Sequence, residues 1–290
     1  MLVVALAAII ATQMLARLQL QVQRTTNINF NQQAYWYAMG AEAFVKRVLF
    51  TAFNEEKDIT HLGQIWAQGK TTYPVDYGEI SGEISDLQAC FNLNALRTEP
   101  ESGSPTKKVP SRIAFEELLM ALNIEGVDQF EAEYMTDALS DWLDADTSIV
   151  SAGGAEDNDY AAKEFPYFSA NNYLASVNEL RVIEHFNVEV INALKEHVCI
   201  IPNSNLYQVN INTVPKEAPE LLQAMLSISR EDAEQVLSAR EEDGFKDTNE
   251  FFSLPEINKL QITEDQKQRF VVDSEYFKLK ATANFNNSYF

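Results

Sequence analysis

Residues 1–16 read MLVVALAAIIATQMLA, an uncharged run closed by Arg17, the first ionisable side chain. As an α-helix it covers about 24 Å at ~1.5 Å per residue, short of the ~30 Å hydrocarbon core of a bilayer. It shows neither the basic start nor the small-residue cleavage site of a secretory signal. The apolar character continues through Leu18, Leu20 and Val22 and recurs at Ala34, Tyr37, Ala38, Ala41, Phe44, Val45, Val48 and Leu49. That spacing keeps one helical face. One long N-terminal helix is therefore predicted, membrane-embedded over 1–24 and amphipathic beyond. A helix that starts inside an apolar run has no cap and no topogenic charge, so Met1 reads as an internal start with a short leader upstream.

Working outward, Thr71 to Asn94 carries Tyr73, Val75, Tyr77, Ile80, Ile84 and Leu87 with Gly78 and Gly82 among them, a β-rich pattern. The polar stretch from Arg97 to Pro110 reads as a linker or loop. Phe115, Leu118, Leu119 and Leu122, then Phe130, Tyr134, Ala138 and Trp142, predict two amphipathic helices between Ser111 and Leu143. Helical spacing resumes at Ser176 with Leu180, Ile183, Phe186, Val190 and Leu194. A second β segment is expected over Leu206–Thr213. Further helices open at Pro219, at Ser229 with Asp232, and at Thr263 with Gln266. From Phe270 to Phe285 the apolar Phe277, Leu279, Ala281, Ala283 and Phe285 alternate with polar residues, as in a half-buried antiparallel strand.

The fold class is α+β, and the small sheet is completed only if its two β blocks pair across a helical insertion. The expected divisions are the membrane-embedded helix at 1–24, its continuation with the first strands at 25–96, the inserted α-domain at 97–204, a β segment with paired helices at 205–269, and C-terminal strands at 270–290. Cys90 and Cys199 are the two cysteines and lie at the junctions of the insertion. Two buried thiols would look the same in sequence, but the placement favours a disulfide pinning the stem in an oxidising compartment.

The 290 residues include 46% hydrophobic ones, enough for a folded core. The formal net charge of −21 repels phosphate backbones and argues against nucleic acid as a partner. Six of the carboxylates crowd between Asp141 and Asp159: Asp141, Asp144, Asp146, Glu156, Asp157 and Asp159, around Ser151, Ala152, Gly153 and Gly154. No Lys or Arg occurs between Arg112 and Lys163 to neutralise them. Oxygen ligands on a flexible Gly-containing loop suit Ca²⁺ better than zinc. Asp144, Asp146, Glu156 and Asp157 are the firmest candidates, with backbone carbonyls of 151–154 completing the shell. Asp141 has exposure on the last helical turn as its alternative. For the whole cluster the alternative is a solvated acidic loop, since the EF-hand pattern is absent.

In order along the chain stand Gln33-Ala34-Tyr35, Gly40-Ala41-Glu42-Ala43, Asp86-Leu87, Phe91-Asn92-Leu93-Asn94-Ala95-Leu96, Asp141-Trp142-Leu143-Asp144-Ala145-Asp146, Gly154-Ala155-Glu156-Asp157 and Asn210-Ile211-Asn212-Thr213. Together these resemble the large minor pseudopilins of bacterial type II secretion, the general secretion pathway protein K family. The resemblance implies a pseudopilin fold: a membrane-born N-terminal helix on a small antiparallel sheet, with a large α-helical domain inserted. It further implies calcium near the acidic loop, cleavage by the prepilin peptidase with N-terminal methylation, and an inner-membrane anchor with the bulk of the chain in the periplasm. The implied partners are other minor pseudopilins in a heterotrimeric tip complex, with secreted cargo as a further candidate. This chain departs in showing no basic leader ending in glycine.

Other classes fare worse. His61, His185 and His197 are scattered, with no Gly-x-Ser-x-Gly or His-Glu-x-x-His pattern, so an enzyme is not expected and no catalytic residue is assigned. A glycosidase would need aromatic platforms around its carboxylates, and Trp142 keeps core spacing with Ala138 and Tyr134 instead. Asn210-Ile211-Asn212-Thr213, Ala233, Val236, Leu237, Arg240, Gly244 and Phe245 resemble a DNA-binding helix-hairpin-helix. Its turn is Leu226-Ser227-Ile228-Ser229 and its flank Glu231, Asp232, Glu234, Glu241, Glu242 and Asp243, which suits protein contact rather than phosphate. The runner-up function is a membrane-anchored, calcium-stabilised periplasmic scaffold or adhesion module.

Overall fold

The structure is a computed structural model that describes residues 1–98, 109–286 and 288–289, so most of the linker expected over Arg97–Pro110 lies outside the described residues. The chain forms two compact units. The first comprises Met1–Glu55, Ile65–Ile84 and Leu279–Phe290; the second comprises Glu56–Gln64 and Ser85–Lys278.

In the first unit, helix α1 (Leu2–Glu55) runs unbroken for 54 residues, about 81 Å at ~1.5 Å per residue. It contains no proline, and its one glycine is Gly40. Its N-terminal part is long and apolar enough to cross a membrane, and its large side chains from Leu2 to Val22 are exposed. Farther along, Ala34 and Ala38 are buried against Ala283, where small side chains let the helix approach the sheet closely. Tyr37, Ile80 and Phe285 pack around them. The Phe285 ring lies 5.4 Å from Phe30 and 5.8 Å from Tyr37.

Strands β1 (Thr71–Val75) and β2 (Gly78–Asp86) form an antiparallel hairpin with Thr71 opposite Gly82 and Val75 opposite Gly78. The two β blocks do meet across the insertion: the four-stranded sheet has the order β1-β2-β7-β8, where β7 is Phe277–Phe285 and β8 is Ser288–Tyr289. Strand β7 carries the alternation read from sequence, with Lys278, Lys280 and Thr282 exposed and the residues between them half-buried or, at Ala283, buried.

In the second unit, β3 (Phe91–Asn92) is followed by α2 (Pro110–Ala121) and α3 (Gln129–Leu143). Proline at the first position of α2 loses no helical hydrogen bond, and Asp128 caps α3 by accepting from the Phe130 and Glu131 amides. Short helices α4 (Asp157–Ala161) and α5 (Val188–Leu194) follow, and then strand β4 (Val198–Cys199), which pairs in parallel with β3. Where one helical stretch was expected from Ser176 to Leu194, the chain forms a 3-10 turn at Val177–Val182 and breaks before α5. His185 adopts a left-handed φ of 68° there, and Asn187 recaps the chain by accepting from the Val190 amide.

Cys90 and Cys199 form a disulfide with Cα atoms 5.8 Å apart. The strand expected over Leu206–Thr213 shrinks to β5 (Val209–Asn210), parallel to β6 (Phe270–Val271). The Asn210 carboxamide accepts from the Asn212 amide at 2.9 Å, and its carbonyl accepts from Thr213, which folds the chain into a turn. Helices α6 (Glu220–Leu226) and α7 (Arg230–Ala239) come next, joined through Ser227 in the left-handed region at φ 51°. Helix α2 packs chiefly on α6, and one hydrophobic core includes Phe115, Leu118 and Leu139 from the insertion with Leu221, Leu222 and Val236 from the paired helices. The division expected at residue 204 therefore falls inside a single unit.

Candidate metal centre

Helix α3 delivers the first carboxylates. Its C-terminal half is buried all round, from Met135 to Leu143, so Asp137 and Asp141 enter the interior with the apolar residues. Asp141 is fully buried rather than exposed on the last turn, and its carboxylate accepts from the Val150 amide at 3.1 Å. Burial pushes its pKa up to about 7, and the charges of Asp144, Glu156 and Asp137 push the same way against the Val150 hydrogen bond.

Past the end of α3 the backbone extends at Asp144 and turns through paired side-chain contacts. Asp144 accepts from the Asp146 amide at 3.2 Å, and Asp146 from the Ser148 amide at 2.7 Å. The chain returns at Glu156, the residue before α4. This brings together one carboxylate oxygen each from Asp144, Asp146 and Glu156, all within 4.8 Å of one another. Glu156 is buried, its Oε1 has no hydrogen-bond partner, and its Oε2 accepts from the Ser169 hydroxyl at 3.2 Å. Burial raises its pKa, and the neighbouring charges of Asp144 and Asp157 add to that effect.

The remaining candidates are held by protein donors. Asp157 accepts from both the amide and the hydroxyl of Ser169, at 3.0 and 2.8 Å. Asp159 accepts from the Glu156 amide at 2.9 Å, fixing the start of α4. The carbonyls expected to complete a shell are partly committed: Ser151 O accepts from the Gly154 amide, and Gly153 O lies 3.2 Å from His185 Nε2. Two residues of this site escaped the sequence reading. Ser169 lies ten positions past Asp159 and left no local signal. Asp137, hydrogen-bonded by the Ser151 hydroxyl, stands one helical turn before Asp141, a spacing that could have revealed it.

The glycines of the loop have a steric reason. A Cβ on Gly153 would lie 2.6 Å from the Tyr134 Cα, and one on Gly154 would collide with the Asp141 carboxylate. Gly154→Ala is accordingly expected to destabilise the fold by roughly 1–3 kcal/mol, read as a lower urea midpoint at unchanged slope.

Three clustered carboxylates, one with a buried and unpaired oxygen, make an all-oxygen donor set that fits a hard cation. Such ions take about 6–8 oxygens for calcium, so water or backbone groups would have to supply the rest.

Against known proteins, models of the family described as "Type II secretion system (T2SS), protein K" match residues 89–203 and 209–273. The type II secretion system protein K of Aeromonas hydrophila is 40% identical over 253 residues, covering 85% of this chain and 75% of that protein. That of Klebsiella pneumoniae is 34% identical over 279 residues, covering 96% and 83%. Among solved structures, a chain in the crystal structure of the GspK-GspI-GspJ complex from enterotoxigenic Escherichia coli aligns with a TM-score of 0.80. It is 31% identical, over 92% of this chain and 91% of that one.

Proposed function

Because the chain belongs to the type II secretion system protein K family, we propose that it is a minor pseudopilin, assembling with two other minor pseudopilins at the pseudopilus tip to support export of folded proteins. The observation that carries this reading is the shared fold along nearly the whole of a chain solved together with GspI and GspJ. Helix α1 would anchor it in the inner membrane, with the second unit in the periplasm, where a disulfide persists. Peptidase processing and N-terminal methylation belong to the same reading.

The subunit works by assembly rather than by catalysis. Its histidines serve the fold: His61 is held by the Glu56 carboxylate, His185 by the Gly153 carbonyl, and His197 is turned toward Glu220 at 3.9 Å. Burial lowers the His197 pKa, while the Glu220 charge opposes the shift. Co-purification with two smaller pseudopilins tests the role, and purification alone would refute it.

Calcium at Asp144, Asp146 and Glu156 is part of the proposal. An ion bound only by the native loop stabilises by RT ln(1 + [L]/Kd), about 2.7 kcal/mol at a hundredfold excess over Kd. Calcium is expected to raise the thermal midpoint and chelator to reverse it, with Asp144→Asn/Glu156→Gln insensitive to both. An unchanged midpoint in the unaltered chain would remove calcium from the picture.

A further inference from the structure

The stretch between α4 and the 3-10 turn at Val177–Val182 carries Phe165, Pro166, Tyr167 and Phe168, with both phenylalanines exposed. It forms no helix or strand, and among the described residues its backbone from Glu164 to Asn172 makes no hydrogen bond to other backbone. Side chains hold it instead. At one end Tyr167 stacks on Tyr160 at 5.3 Å and donates its hydroxyl to the Val182 carbonyl at 2.7 Å. At the other, Leu174 is buried and its amide donates to the Asn94 carboxamide at 2.8 Å. Between these anchors stands Ser169.

Ser169 fastens the segment to the acidic centre. Its amide and hydroxyl both donate to Asp157 Oδ1, and its hydroxyl lies 3.2 Å from Glu156 Oε2. Glu156 and Asp157 are consecutive and open α4, so whatever moves Glu156 moves the acceptor that holds Ser169. Glu156 has a reason to move. Its Oε1 is buried without a hydrogen-bond partner, a costly state for a carboxylate, and the charge of Asp144 acts on it as well. A cation shared with Asp144 and Asp146 would give Glu156 a reason to stay.

We propose that Ser169 is a positioning residue that transmits the state of the cation centre to the aromatic segment. With the ion bound, Glu156 and the start of α4 are fixed and Ser169 holds the segment down. Without it, Glu156 turns toward water and the segment around Phe168 opens. Calcium thereby sets the form in which Phe165 and Phe168 face solvent. This rests on the calcium reading of Asp144, Asp146 and Glu156.

The test is chymotrypsin digestion of the full chain in detergent, with the cut sites read by mass spectrometry. Proline blocks the bond after Phe165, so the segment is cut after Tyr167 and Phe168, at a rate that follows how often it opens. Calcium is expected to slow those two cuts at least tenfold. Ser169→Ala is expected to lose this protection and to bind calcium more weakly, because coupling between two sites is reciprocal. Ser169→Thr keeps the hydroxyl and should recover both, whereas a serine that merely braced the segment would change cleavage equally with and without calcium. Asp144→Asn/Glu156→Gln should be cut at one rate in either condition, which excludes an effect of the ion on the protease. A calcium-raised thermal midpoint with unslowed cleavage, or equal protection in Ser169→Ala, would overturn the inference and leave the calcium reading intact. An unchanged midpoint in the unaltered chain would overturn the calcium reading, and the inference with it.

Discussion

Replacing Cys90 and Cys199 with alanine is expected to cost about 4 kcal/mol of unfolding free energy. The bridge closes a loop with a sequence separation of 109 residues, and the chain-entropy estimate for a loop of ~100 residues is about 4.7 kcal/mol. Local pairing offers little substitute. Beside the bridge, β3 and β4 share only the pairs Phe91 with Val198 and Asn92 with Cys199. The side chain of Asn92 gives further support, donating to the Ser204 and Leu206 carbonyls and accepting from the Ile201 amide. Without the bridge, closing the insertion falls to those contacts, to the Asn94 side chain, which donates to the Leu174 and Ile201 carbonyls, and to the shared core. Urea unfolding followed by circular dichroism checks the effect, and reductant should shift the midpoint as the double substitution does. A reduced protein with an unshifted midpoint would mean that the stem holds without the bridge.

The second large effect is expected at Asp86, at the end of β2. Its buried carboxylate accepts from the Gln88 amide at 2.7 Å, the Thr213 hydroxyl at 2.5 Å and the Ser274 hydroxyl at 2.6 Å. Asn210 extends the network by donating to Ser274 Oγ at 2.8 Å and to the Thr60 carbonyl at 3.1 Å. Four distant stretches of the second unit are thereby tied to one another. Asp86→Ala takes the acceptor from the buried Gln88 amide and from the Thr213 and Ser274 hydroxyls, of which Thr213 keeps the Asn210 carbonyl at 3.2 Å, and roughly 2–4 kcal/mol is the expected loss, since each buried unsatisfied group costs about 1–3 kcal/mol. Asp86→Asn keeps an acceptor and lets the hydroxyls rotate, so it should lose less.

The pH dependence separates these variants further. Burial raises the Asp86 pKa above the ordinary aspartate value, with the Asp273 charge adding to it and the three hydrogen bonds opposing it. The folded state therefore holds this proton more tightly than the unfolded chain does. This group's destabilisation is absent below the unfolded pKa of ~3.9 and grows as pH rises through the folded value. In Asp86→Asn that contribution to the slope disappears. A wild-type slope in the variant would mean that Asp86 ionises in the folded state as freely as in water.

How much of this was legible in sequence follows the range of the interactions. Helices α1 and α2 and the first turns of α3 carry apolar residues at helical spacing, and that spacing announced them. Strand β7 did the same through its alternation. The stretch 206–213 misled because Asn210 and Thr213 are short polar residues whose side chains compete with the ladder, a choice settled by Asp86 and Thr60 far away. The stretch 176–194 misled because its apolar spacing is helical while His185 turns the backbone left-handed.

The acidic cluster was visible as composition, but its division was not. Asp144, Asp146 and Glu156 converge because α3 stops where it does, whereas Asp157 and Asp159 serve Ser169 and the start of α4. Asp141 pointed inward because α3 is buried on every side over its last turns, which no single-face pattern reveals.

Assembly is the central claim, and light scattering on the full chain mixed in detergent with its two candidate partner pseudopilins tests it most directly. A single species with the summed mass of the three chains is the expected result; three separate species at concentrations well above the micromolar range would contradict it.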